Sequence, residues 1–143
     1  MHDAMFTFIT IAKALSDENR LRIVMALRGR ELCVCQVTGL LDLSPSTTSK
    51  HLSILRQARL IDSNKKGKWV YYTVPEKTSP MVMQAVALVL DSLKASPVIL
   101  EDERHIREVI ELGARLCPAG DDDSFHSLAI HSLEGKPSEP YED

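Results

Sequence analysis

Two cysteines one residue apart, Cys33 and Cys35, are the side chains in this sequence best suited to chemistry. They stand where a short helix is predicted to begin, and the N–H groups and dipole of a helix N-terminus lower the pKa of a thiol. Thiolates bind soft, thiophilic ions rather than magnesium or calcium. A lone cysteine is most often a small buried hydrophobic residue, but this spacing favours a reactive or metal-binding pair.

The spacing of the pair also predicts how it would act. In a regular helix, side chains two residues apart point about 200° away from each other. One ion could therefore not bridge both sulfurs while both cysteines stay helical. We expect binding to unwind or displace the start of the third predicted helix, and so to misalign the fourth helix that packs against it.

Helical periodicity and capping residues predict the elements that position this pair. The predicted helices span residues 4–15, 17–28, 34–41, 45–58, 78–93 and 101–116. The fourth has Ser44 as its N-cap and Pro45 at its first position. One face of this helix is apolar, and the other carries hydroxyl and basic side chains, as in the DNA-reading helix of a helix-turn-helix, although capping and solvation alone could explain them. The residues of this helix predicted to contact DNA are Ser44, Ser46, Thr47, Ser49, Lys50, His51 and Arg56.

A basic hairpin is predicted directly after the fourth helix. Residues 60–61 and 69–74 are rich in β-branched and aromatic side chains, and they flank a basic turn over residues 64–68 that contains a glycine. A helix pair followed by such a hairpin is a winged helix-turn-helix, so the predicted fold is mainly α with a small β-hairpin. The helix would enter the major groove, and the hairpin would contact phosphates or the minor groove. The hairpin residues predicted to contact DNA are Lys65, Lys66 and Lys68.

The charge distribution agrees with a DNA-binding middle segment. The net charge is −3, but residues 44–77 carry seven basic and two acidic side chains, whereas residues 117–143 carry one basic and seven acidic side chains. A basic segment is the footprint expected for binding a phosphate backbone. No apolar run approaches the roughly 20 residues of a membrane span, and residues 1–15 lack the basic start of a secretory signal. We therefore expect a cytoplasmic protein.

The fifth predicted helix is apolar on nearly all sides. A domain this small cannot bury such a helix with its own chain, so we expect it to form a subunit interface together with the first helix. A homodimer would present two recognition helices to two half-sites. The predicted organisation is a winged-helix and dimerisation domain over residues 1–94, an amphipathic helical extension over 95–117 and an acidic, mobile tail over 118–143.

Three segments resemble the ArsR/SmtB family of metalloregulatory repressors, and most closely its arsenic- and antimony-responsive members. They are the ELCVC run at residues 31–35, the SKHL run at 49–52 and the KGKWVYY run at 66–72. The resemblance covers roughly residues 4–94. It implies a homodimeric winged-helix repressor that needs no cofactor to bind operator DNA ahead of a resistance operon. As(III) or Sb(III) bound to Cys33 and Cys35 would release it.

One position departs from that family. Arsenic repressors of this type often have a third cysteine three residues after the second, and here that position is Thr38. Either two sulfurs suffice, with a hydroxyl, water or external thiol as third ligand, or Cys117 contributes. Related cadmium and lead sensors add cysteines near the N-terminus, but residues 1–15 contain none. Zinc sensors of the family need histidine on the fifth helix, which has none.

Two alternatives keep the thiols but change their use. A thiol redox enzyme is not expected, because the sequence has no Cys-x-x-Cys motif, no glycine-rich phosphate loop and no carboxylate–histidine arrangement. Oxidation of the pair to a disulfide would keep the repressor and change its trigger. Residues i and i+2 are poorly placed for disulfide geometry, so metal or metalloid binding is the preferred trigger.

Overall fold

The computed structural model describes residues 3–116, with side chains through residue 111. Cys117 and the predicted acidic tail lie outside the described residues. The elements in chain order are α1 (Ala4–Leu15), α2 (Glu18–Ala26), β1 (Leu32–Cys33), α3 (Val34–Leu41), α4 (Pro45–Gln57), β2 (Asp62–Lys66), β3 (Trp69–Thr73), α5 (Pro80–Leu93) and α6 (Pro97–Leu116). The strands form an antiparallel sheet in the order β1-β3-β2. The predicted winged helix-turn-helix is confirmed.

The capping residues explain why the helix starts were predictable. The Asp17 carboxylate accepts a hydrogen bond from the N–H of Arg20 at the start of α2. The Ser44 and Ser79 hydroxyls cap α4 and α5, each of which has a proline in its first turn. Each cap satisfies a backbone donor that the helix cannot pair internally.

The hairpin prediction was wrong in detail. Residues 60–61, predicted as strand, are fully buried in the core and precede β2. Residues 64–66, predicted as part of the turn, belong to β2, and the register pairs Lys66 with Trp69. Only Gly67 and Lys68 remain in the loop, with Gly67 at φ 64°. Strand β2 is exposed along most of its length, so polar side chains can form its ladder with β3. The apolar residues 60–61 mark the end of the core rather than a strand.

Helix α6 begins at Pro97, four residues earlier than predicted. Proline fits the first turn of a helix, because its missing N–H would be unsatisfied there in any case. The helix packs against α2 and α3, with Ile99 and Ile106 buried in the main core. A bidentate ion pair joins Arg22 of α2 to Asp102 of α6, with both N–O distances 2.9 Å.

Helix α1 is less buried than a core helix should be. Only Ile11 and Ala14 are buried, and Phe8 is exposed although it lies on the same helical stripe as Ile11. A groove of about 270 Å³ separates α1 from α5, and its rim includes Phe8 and Leu88. Among the described residues no single helix is long and apolar enough to cross a bilayer, and α5 with α6, which together reach that length and composition, are bent by 95°.

Candidate thiol centre and nucleic-acid interface

The sulfurs of Cys33 and Cys35 lie 3.0 Å apart. Cys33 is not helical: it is the last residue of β1 and the N-cap of α3, with extended φ −88° and ψ 172°. Cys35 lies in the first turn of α3. The extended backbone at Cys33 turns its side chain back toward Cys35, so the pair converges where a helix would have separated it.

This geometry corrects the expectation that an ion must unwind α3 to reach both sulfurs. At metal–sulfur bonds of about 2.3 Å, sulfurs 3.0 Å apart subtend about 80° at a shared ion. An angle between 95° and 110° requires a sulfur separation of roughly 3.4 to 3.8 Å at the same bond length. The pair therefore needs to open by less than an ångström, and α3 can remain helical.

The surroundings favour a thiolate at Cys33. The hydrogen bond with Cys35 has the largest effect and lowers the pKa of Cys33 to about 7, with help from the backbone N–H of Gln36 and against the opposing effect of burial. Cys33 and Gln36 form a capping box, in which the Cys33 N–H donates to Gln36 Oε1 at 2.9 Å. The centre thus combines one readily ionised sulfur with a second beside it.

Strand β3 forms the wall of the thiol centre. Trp69 is buried in one apolar cluster with both cysteines, and Tyr71 packs against it. Tyr71 is also the residue paired with Cys33 between β1 and β3. The Lys66 ammonium lies 5.3 Å from the centroid of the Tyr71 ring and 2.6 Å from the carboxylate of Glu31. The hairpin of β2 and β3 is the wing of the fold. The thiols therefore lie at the base of the wing, in direct contact with β3.

Thr38, at the position where arsenic repressors of this type often have a third cysteine, is fully buried. Its Oγ1 has no hydrogen-bond partner among the residues that the structure describes. Within the same residues, no group of three or more His, Cys, Asp and Glu side chains converges to hold an ion. The described part of the centre therefore offers two sulfur donors, and the predicted contribution of Cys117 falls outside it.

The predicted DNA-reading face of α4 is largely accessible. Ser49, Lys50 and Arg56 are exposed on the side opposite the buried Leu52 and Leu55. The partly exposed hydroxyls at the start of the helix engage one another, and Ser44 donates to Thr47 Oγ1 at 2.9 Å while it also lies 3.5 Å from the Ser46 hydroxyl. On the wing, Lys65 and Lys68 are exposed.

Two predicted DNA contacts are already occupied within the protein. His51 is half-buried, and its Nδ1 accepts a hydrogen bond from Arg20 at 3.1 Å. Burial lowers the pKa of His51, opposed by Asp17 and assisted by Arg20, and the hydrogen bond to Arg20 ties α4 to α2. Lys66 is held by Glu31.

Comparison with known proteins identifies the family. The family model described as "Bacterial regulatory protein, arsR family" matches residues 17–63. The arsenical resistance operon repressor of Escherichia coli is 40% identical over 84 residues, which cover 58% of this chain and 68% of that protein. The chain belongs to the arsR family. This membership confirms the predicted resemblance, and it confirms a regulatory protein rather than a thiol enzyme.

The matched relatives differ in the resistance that their names give. The cadmium resistance transcriptional regulatory protein CadC of Listeria innocua is 52% identical over 63 residues, 43% of this chain. This match spans 53% of that relative's length. Two solved structures, titled HlyU and reduced HlyU from Vibrio cholerae, superpose with TM-scores of 0.55 and 0.53 at 30% and 32% identity. Each superposition covers 64% of this chain, together with 97% of the HlyU chain and 93% of the reduced HlyU chain.

Sequence reasoning missed the parts of this arsR-family centre that come from the wing. Trp69 and Tyr71 were predicted as strand residues, but nothing in the alternation of that strand indicates that it faces the cysteines. Glu31 was noted only as part of the ELCVC run that carries the family resemblance. The available signal was the proximity of basic and aromatic residues in the run 65–72, which indicated a DNA-contacting wing and the family resemblance but no contact with the thiols.

Proposed function

We propose that this arsR-family protein is a transcriptional repressor that binds operator DNA as a homodimer and dissociates when a soft ion binds Cys33 and Cys35. The observation that carries the proposal is the pair of sulfurs 3.0 Å apart at the junction of α3 and the wing. A thiol pair at that junction contacts the wing directly through Trp69 and lies at the start of α3, which packs against α4.

As(III) or Sb(III) is the proposed inducer. Trivalent arsenic forms short, directional bonds to thiolates, and the sulfurs need to open by only a few tenths of an ångström to accept it. The name of the Escherichia coli relative supports this choice. The name of the Listeria innocua relative supports cadmium instead, but a soft divalent ion held in tetrahedral geometry prefers four donors, and the described residues supply two sulfurs.

Binding at the sulfurs would affect both DNA-contacting elements, α4 through α3 and the wing through β1. Cys35 belongs to α3, which packs against α4. Cys33 belongs to β1, whose only partner within the described sheet is β3 of the wing. Opening the sulfur pair would push these two elements apart. Because packed interfaces are bistable rather than continuously deformable, a displacement below one ångström would suffice to change the angle between α4 and the wing.

Dimerisation is proposed through α1 and α5. Their facing side chains leave an apolar groove with an exposed rim, where Leu88 is 68% accessible. An apolar surface of this kind on a small protein is typical of a subunit interface. A second copy would cover it and would place two copies of α4 at the spacing of two half-sites.

A mobility-shift titration tests the proposal. Wild-type protein on its operator is titrated with arsenite, antimonite, cadmium and zinc, alongside Cys33→Ser and Cys35→Ser. We expect arsenite and antimonite to release wild type at lower concentration than zinc, and neither serine variant to be released. Cys117→Ser is titrated alongside, because Cys117 is the other candidate thiol ligand: release like that of wild type would show that the pair suffices. Asp91→Ala, at an exposed side chain, is the matched control. Release of the Cys33→Ser protein by arsenite would refute the thiol trigger.

Thiol oxidation is a second candidate trigger, now favoured by a specific observation. The sulfurs are adjacent, and one of them has a pKa of about 7, which are the conditions for disulfide formation. One solved neighbour is titled as the reduced form of its protein. Release of DNA by diamide, reversed by dithiothreitol and absent in Cys35→Ser, would support oxidation, and full retention of DNA would exclude it.

A further inference from the structure

The short link between α2 and β1, residues 27–31, contacts α6 on one side. The Glu103 carboxylate of α6 accepts two hydrogen bonds from the Arg30 guanidinium, at 3.0 and 3.3 Å, and lies 3.5 Å from that of Arg28. Helix α6 lies outside residues 17–63, the segment that the family model matches. The family match therefore gives no role to this carboxylate.

On its other side, the same link contacts the wing. The Thr73 hydroxyl, at the end of β3, donates a hydrogen bond to the Arg30 carbonyl at 3.0 Å. The next residue of the link, Glu31, forms an ion pair with Lys66 at the end of β2. Both strands of the wing are thus bonded to the link that Glu103 contacts from α6.

We propose that Glu103 is a positioning residue for DNA binding, which sets the orientation of the wing through Arg30. The inference rests on the proposed function, because it concerns how the wing reaches the operator. Helix α6 packs against α2 and α3, and the Glu103 side chain is 30% exposed at its edge. Its effect on the operator is transmitted through the link.

The wing acts as a lever whose base is the link. Each of its strands has five residues, which corresponds to a length of about 17 Å. A rotation of about 10° at the base would then move the tip by about 3 Å, which is enough to break a hydrogen bond to a phosphate. Lys65 and Lys68, the predicted phosphate contacts near the tip, are exposed. Their placement therefore depends on how firmly the base is held.

Glu103→Gln removes the charge of the ion pair and keeps the size of the side chain. We expect the affinity for DNA to fall by about threefold to tenfold. The slope of log affinity against log salt should fall by about 0.9 for each wing lysine that loses its phosphate. The substitution also removes a negative charge, which by itself favours DNA binding. Glu108→Gln, at an exposed position of the same helix, is therefore the matched control.

The experiment uses the full-length protein and a labelled duplex that the wild type selects from a random-sequence library. Affinity is measured by fluorescence anisotropy at several salt concentrations, within a double-mutant cycle. Added to the double variant Lys65→Ala with Lys68→Ala, Glu103→Gln should cause no further loss, because the lysines that it positions are gone. Added to Lys50→Ala on α4, it should cause its full loss. A purely structural role would give the same loss in both backgrounds.

The outcomes separate the inference from the function on which it rests. A loss of affinity that disappears with the wing lysines supports the inference. Affinity equal to that of Glu108→Gln, or the same loss in both backgrounds, overturns it. Urea denaturation identifies a variant that does not fold, and Arg30→Met, which removes the other partner of the ion pair, then tests the link in the same cycle. Failure of the wild type to select any duplex would instead refute the proposed function.

Discussion

Asp102→Leu is expected to destabilise the protein strongly, because it removes one partner of a shielded ion pair. The Asp102 carboxylate accepts two hydrogen bonds from Arg22, each 2.9 Å long, and the two side chains are 9% and 19% exposed. The pairing also raises the pKa of Arg22, mainly through that hydrogen bond. Leucine keeps the γ-branched shape of aspartate, although it is larger, and leaves the guanidinium charge without its carboxylate.

The magnitude follows from what Arg22 would retain. Breaking a buried pair by removing one partner costs about 3 to 5 kcal/mol. Arg22 is partly exposed and keeps longer hydrogen bonds to Asn19 Oδ1 at 3.3 Å and to the Leu40 carbonyl at 3.4 Å. The lower end of that range applies, so we expect a loss of about 3 kcal/mol in the free energy of unfolding.

Urea denaturation at fixed protein concentration measures this loss, since the stability of a dimer depends on concentration. The double variant Arg22→Met with Asp102→Leu should recover most of the stability, because apolar replacement of both partners removes the uncompensated charge. Asp91→Ala is the control for an exposed pair: its carboxylate and the Lys94 side chain are 79% and 67% exposed, and a change below about 0.5 kcal/mol is expected. A loss under about 1 kcal/mol in Asp102→Leu would refute this reasoning.

Three further predictions concern the dimer, the wing and acid stability. Leu88→Glu should convert the proposed dimer to monomers in sedimentation equilibrium and weaken DNA binding, and an unchanged dimer would rule out the α5 interface. Lys65→Ala should reduce the slope of log affinity against log salt by about 0.9 per phosphate contact, whereas Lys66→Ala, already paired within the protein, should change it less; equal slopes would contradict this. The hydrogen bond from Arg30 is the main cause that lowers the pKa of Glu103. The ionised Glu103 carboxylate therefore stabilises the fold at pH values above its unfolded pKa of about 4.5, and this stabilisation is lost as pH falls through the lower folded pKa. The difference in unfolding free energy between wild type and Glu103→Gln should therefore shrink in acid, and a constant difference would contradict the assignment.

The helices were predictable because their signals are local. Ser44 and Ser79 precede prolines, and the apolar residues repeat at helical spacing. Helix α4 starts at Pro45 as predicted, and α5 starts at Pro80, two residues after the predicted start. The bounds of α1 and α3 agree with the predicted ones. These features depend on neighbours within four residues, and no distant part of the chain has to be placed to read them.

The thiol geometry was not predictable because it depends on distant partners. Cys33 is extended since β1 pairs with β3, and the partner of Cys33 is Tyr71, 38 positions along the chain. A strand of two residues has no pattern of its own. The same limit applies to the pair of Arg22 and Asp102, which are 80 residues apart. Local reasoning found the two sulfurs and misjudged how they face each other.

The capping role of the Cys33 sulfur has a consequence for sensitivity. An electrophile that bonds to this sulfur draws on the electron pairs that accept the N–H of Gln36, so it weakens the cap at the start of α3 without removing it. The strength of the cap therefore enters the binding equilibrium and helps to set the threshold dose. Substitutions at Gln36 would then shift the dose response while leaving both sulfurs in place, so detectors graded in threshold could be made from this one scaffold.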